Sequence, residues 1–184
     1  MKTTILLILL SLASTIYSQS QNSLKNYTLM IDSANVFPTI DKILELNELK
    51  NKVVFVDIWG TRCPPCLKEF QELPGLKHRF QNESVAFLYL CSPYTVKRDK
   101  QNEKLWKALV LKNDLKGINV LISSDCYGKG FFDKYKDKYS DARKYAIPTY
   151  LLVDKKGKIR DFDAPRPSKG KLLYDEIEKL LKEK

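Results

Sequence analysis

The stretch Val53-Val54-Phe55-Val56-Asp57-Ile58-Trp59-Gly60-Thr61-Arg62-Cys63-Pro64-Pro65-Cys66 decides the fold. Its first seven residues are apolar and mostly β-branched or aromatic, broken only by Asp57. Such a run reads as a strand buried on both faces, as in a sheet with helices on each side. From about Pro64 to Gln81 the residues Leu67, Phe70, Leu73, Leu76 and Phe80 fall at helical spacing. Pro64 and Pro65 suit the first turn of that helix, where amides have no helical partner. Pro74 predicts a kink. The two cysteines therefore stand just past the carboxyl end of a strand, where open α/β sheets carry their sites.

Further along, Val85 to Leu90 reads as a second strand, and residues 97–113 as a helix with Leu105, Trp106, Leu109 and Val110 facing inward. Ile118 to Ile122 is a short strand and 129–145 another helix. Thr149 to Val153 and Lys158 to Phe162 form a hairpin around Lys156-Gly157. Ser168 can cap a last helix running nearly to Lys184. A short helix at 39–47 is expected in front. The order β-α-β-α-β-α-β-β-α predicts an α/β fold, a central mixed sheet flanked by helices.

The length of 184 residues allows one domain with a real core. Lys2 followed by the aliphatic run Ile5 to Leu10 and then Ser14, Thr15, Ser18 and Ser20 has the layout of a signal peptide. That run is shorter than the roughly 20 residues a membrane span takes, so a retained anchor is the weaker reading. The expected organisation is a signal peptide at 1–20, a lead-in at 21–36 and one domain at 37–184. The net charge of +10 comes from scattered lysines without a nucleic-acid motif, so no nucleic-acid partner is expected. Export lets disulfides persist. Four cysteines are too few to staple a chain of this size, so the core carries stability and the cysteines carry chemistry.

A thiolate is the reactive form of cysteine, and unpaired amides at a helix start stabilise it. Cys63 is then the exposed attacking thiolate, and Cys66, one turn in, the resolving thiol. Pro64 and Pro65 remove two donors, while cationic Arg62 pulls the other way. The segments Val56-Asp57-Ile58-Trp59-Gly60, Cys63-Pro64-Pro65-Cys66 and Ile147-Pro148-Thr149 resemble the thioredoxin superfamily, and within it the exported TlpA/ResA-like thiol–disulfide oxidoreductases of bacterial periplasms. The resemblance covers most of residues 50–184 and implies a thioredoxin-like fold with an inserted helix and strand at about 97–122. It implies a cis peptide at Pro148, whose neighbouring backbone pairs with an extended substrate. It implies that Asp57 is a buried acid near Cys66 with a raised pKa, able to take its proton. It also implies protein thiol or disulfide substrates, no cofactor, and a reductant role, for example in cytochrome c maturation, fed by a membrane electron donor.

Rival readings remain. The Cys-x-x-Cys can be half a zinc site completed by Cys91 and Cys126 or His78, or a static disulfide. Cys91 and Cys126, both placed near one sheet edge, read as buried free thiols, as a structural disulfide, or as a second redox pair. Trp59 reads as packing and a lid beside the site, Trp106 as core, and His78 as a solvated helix residue. Ala164-Pro165-Arg166-Pro167-Ser168 is a rigid loop near the site's edge. At the level of function the rivals are a disulfide-forming oxidant or isomerase, a binding module without redox turnover, and a peroxide reductase.

Overall fold

The computed structural model describes residues 28–32, 37–92, 100–140 and 145–183. The expected signal peptide at 1–20 lies outside the described residues, as do 97–99 of the expected insert and 141–144 of the expected fourth helix.

Six strands form one mixed sheet in the order β1-β4-β3-β2-β5-β6. They are β1 (Thr28–Asp32), β2 (Val53–Trp59), β3 (Val85–Cys91), β4 (Gly117–Leu121), β5 (Thr149–Val153) and β6 (Ile159–Asp161). Strands β1 to β4 run parallel, and β5 and β6 are antiparallel to their neighbours. All seven residues of β2 are buried, as its apolar run requires. Odd-numbered β2 residues face a core shared with helices α2 (Pro64–Glu69), α3 (Leu73–Arg79), α4 (Lys100–Lys112) and α6 (Lys171–Lys182). Even-numbered ones face a second core with α1 (Ile40–Leu44), the turn α5 (Ser124–Tyr127) and the aromatics Phe131 and Phe132.

Several expectations are corrected. Strand β1 lies in the stretch read as lead-in and pairs with β4 from Thr28 beside Gly117 to Asp32 beside Leu121. Its sequence, Thr-Leu-Met-Ile-Asp, is half-buried rather than apolar throughout, so it gave a weak signal. The helix after the cysteines is three pieces, because the turn Phe70–Glu72 tightens to 3₁₀ just before Pro74 removes a helical donor. In α4, Trp106 and Val110 are fully buried one turn apart, but Leu105 lies off that stripe and is 36% exposed. The helix expected at 129–145 is instead α5, a π-turn at Gly128–Phe132 and a 3₁₀ turn at Lys136–Lys138. Gly128 and Gly130 disfavour a regular helix. The π-turn seats Phe131 and Phe132 among Tyr127, Tyr135 and Tyr139. Ser168 does not cap the last helix. It sits in a 3₁₀ turn, Pro167–Lys169, and Gly170 at φ 50° starts α6.

Gly117 begins β4 at φ 125°, and a Cβ there would stand 2.5 Å from the Phe87 carbonyl. Gly117→Ala therefore combines a strained backbone with a clash against the neighbouring strand. The expected loss is roughly 1–3 kcal/mol of stability, read by urea unfolding.

Candidate functional site

Gly60, Thr61 and Arg62 leave the end of β2 and deliver Cys63 to the N-cap of α2. Two consecutive prolines follow, so the first amide able to donate belongs to Cys66. It does donate, to Cys63 Sγ at 3.2 Å. Cys63 and Cys66 are joined by a disulfide, with Cα atoms 5.2 Å apart. Cys63 is not the exposed residue expected: it is 2% exposed, and Cys66 is fully buried. As an N-cap its side chain folds back over the first turn, and the bond to Cys66 draws it against Trp59 and Phe70 in the core. The exposed rim is Arg62, Pro64 and Pro65.

Asp57 is fully buried, and neither carboxylate oxygen has a hydrogen-bond partner among the described residues. By strand alternation it faces the same core as Phe55, Trp59 and the disulfide. Its register partners are Tyr89 on β3 and Tyr150 on β5, both with buried hydroxyls that lack a partner among the described residues. Burial raises the Asp57 pKa well above the ordinary value, and the negative charge of Glu69 adds to the rise. Burial among apolar residues thus disfavours the charged form of Asp57 and makes its carboxylate a stronger base than an exposed one.

Glu69 was not singled out from sequence. It lies one turn beyond Cys66 on α2, and is 7% exposed. It accepts from the Ser168 amide at 2.9 Å and the Ser168 hydroxyl at 2.8 Å. The available signal was its position three residues after Cys66, on the face that carries the buried cysteine. The expected loop at Ala164 to Ser168 therefore does reach the site's helix. It is anchored at its start by the Ala164 amide on the Tyr150 carbonyl.

The Ile147–Pro148 peptide is cis and leads directly into β5 beside β2. Just before it, the Ala146 carbonyl accepts from the Tyr127 hydroxyl at 2.9 Å and the Thr149 hydroxyl at 2.7 Å. Trp59 is wholly buried and edge-on to Phe70, so it is core and not a lid. Cys91 and Cys126 are free; both lie at the carboxyl end of β3 and β4 as expected, but on opposite faces, Cys91 in the core of the disulfide and Cys126 in the other. Burial pushes the Cys91 thiol well up despite the Thr61 amide donating to it, and takes Cys126 to about 11. His78 is exposed, as expected.

A mixed sheet with a bonded Cys-x-x-Cys at a strand-to-helix junction and a cis-proline at the head of the next core strand defines a thioredoxin-like protein. The family model described as Redoxin matches residues 25–176, and the chain belongs to that family. Among curated relatives it is similar to the "Thiol-disulfide oxidoreductase ResA" of Bacillus cereus, 34% identical over 64% of this chain and 58% of the relative. The protein of that name from Halalkalibacterium halodurans is 29% identical over 63% and 56%. The chain thus spans little more than half the length of these relatives. Among solved structures it is similar to a Bacteroides vulgatus protein described as a thiol-disulfide oxidoreductase. Identity there is 31%, coverage is 73% of this chain and 76% of that one, and the TM-score is 0.52.

Two outcomes follow from this geometry. Iodoacetamide on the denatured, unreduced protein should label Cys91 and Cys126 and spare Cys63 and Cys66, as read by peptide mass mapping. A carboxyl whose folded-state pKa is raised loses stability as pH climbs above the ordinary aspartate value, because the unfolded chain gives up its proton first. Asp57→Asn should therefore be more stable than the parent at neutral pH, with the gap closing toward about pH 4, in denaturant titrations across pH.

Proposed function

We propose that the chain is a thiol–disulfide oxidoreductase that cycles Cys63 and Cys66 between disulfide and dithiol against protein thiols and disulfides. The observation that carries this reading is the Cys63–Cys66 bond at the head of α2, set beside the cis-proline strand and a buried acid. In the dithiol form Cys63 attacks a substrate disulfide and forms a mixed disulfide. Cys66 then displaces the substrate thiolate and restores the Cys63–Cys66 bond. Two electrons pass to the substrate. Asp57 takes the Cys66 proton, and its unpartnered oxygens and raised pKa suit that task. The backbone beside Pro148 is the edge against which an extended substrate segment pairs.

The direction we favour is reduction. Pro64 and Pro65 leave one amide on Cys63 Sγ, so the Cys63 thiolate gains little stabilisation. A dithiol that is not stabilised gives up its electrons readily, the inverse of strong oxidants whose reduced form is the stable one. On this reading the protein is exported to the periplasm with its first 20 residues as a cleaved signal. There it keeps chosen thiols reduced, as in cytochrome c maturation, and draws electrons from a membrane donor. No helix among the described residues is long and apolar enough to cross a membrane.

The reduction potential of the Cys63–Cys66 pair, titrated against a dithiothreitol or glutathione buffer, should lie near −270 mV, about the value of thioredoxin. A value near −120 mV, about that of a strong oxidant, would reverse the assigned direction and leave the exchange chemistry standing. Cys63→Ser should abolish insulin reduction with dithiothreitol as donor, and retained activity would refute the exchange itself. Asp57→Asn should slow turnover by about 10²-fold or more if it acts as general base, without loss of fold.

A further inference from the structure

At the amino-terminal ends of the parallel strands, the pole opposite Cys63, lies a cavity of about 530 Å³. That is within the size range of small-molecule sites, about 300–1,000 Å³. Leu73, Val85, Phe87 and Ile118 give it apolar walls. Lys77 also lines it, with its ammonium 5.8 Å from the centroid of the Phe87 ring and 5.3 Å from that of Tyr89.

Lys77 is a half-buried cation without an ion-pair partner among the described residues. Among the described residues its ammonium donates to the Asp114 backbone carbonyl at 3.2 Å, while the Asp114 carboxylate is taken by Lys116 at 3.3 Å. The other charged or titratable groups on the walls are Glu48, Lys52 and His78. Lys52 donates to the Glu48 carbonyl at 3.0 Å. Lys77 is thus held by a backbone carbonyl and two ring faces, with no carboxylate paired to it among the described residues. A cation taken from water without an anion is costly, and an anion entering the cavity would offset that cost.

We propose that this cavity binds a small organic carboxylate with an apolar body, its anion on Lys77 and its body against Phe87, Val85 and Ile118. The site is separate from the thiol chemistry and does not depend on the proposed activity. Desolvation lowers Lys77 to about 8, with the charge of Lys116 pushing the same way and Asp114 opposing. The affinity is therefore set by the Lys77 proton. It is full below about pH 8 and declines above it, whereas a site on solvated lysines would hold to about pH 10.

The test is titration of the whole protein with benzoate by NMR, with neutral benzamide as the control. Benzoate should bind saturably and shift resonances of Lys77 and Phe87, benzamide should bind at least tenfold more weakly, and benzoate affinity should fall about tenfold per pH unit above the Lys77 break. Lys77→Met should weaken benzoate at least tenfold and leave insulin reduction unchanged. Lys77→Arg, which keeps its charge across this range, should bind benzoate with no break near pH 8. Absence of saturable binding, equal binding of the two probes, or an unaltered titration in Lys77→Met overturns the proposal. So does an unaltered pH break in Lys77→Arg, which still decides should Lys77→Met fail to fold.

Discussion

The complete burial of β2 is the constraint on which the rest of the structure depends. A strand with no solvent face must be covered above, below and along both edges, and it is: by two cores, by β3 and by β5. Once β2 is fixed, its last residue fixes where Gly60 to Cys63 emerge, and β5 brings Pro148 beside them. A polar side chain in such a strand has no route to water. Asp57 is therefore kept where an acid is expensive, between two tyrosines whose hydroxyls also lack partners among the described residues. A native core tolerates few such groups, and this layer gathers several of them around β2.

The segment around Cys63 shows how local covalent structure sets electrostatics. Proline cannot donate, so the helix start that would otherwise present several amides presents one. The same prolines fix the backbone angles of the first turn and occupy the exposed rim. The stiffness of the first turn, the exposed rim and the number of amides facing Cys63 Sγ are thus set by the same two residues.

Much of the fold was legible in the sequence because its signals were local: the apolar run of β2, the helical spacing after Cys63, and the Asp154 to Lys158 turn. That turn closes with Asp154 accepting from the Lys156 and Lys158 amides. The features missed were non-local. Strand β1 is specified by its pairing with β4 rather than by its own pattern. The stretch 124–139 keeps aromatic spacing suggestive of a helix, yet its glycines and ring contacts select tighter and wider turns instead. Within the site, the cysteines, Asp57 and Pro148 were visible as motif residues. Glu69 was not, since nothing in a lone glutamate on an amphipathic helix shows that a serine 99 residues later will bury it.

That serine has a consequence for how the thiols are held. Its amide and hydroxyl both donate to Glu69, so the helix that carries the cysteines is tied through a buried carboxylate to a turn far along the chain. The seating of α2 is thereby coupled to the packing of the Pro167–Lys169 turn, and a change that loosens that turn leaves a buried carboxylate without its donors one helical turn from Cys66.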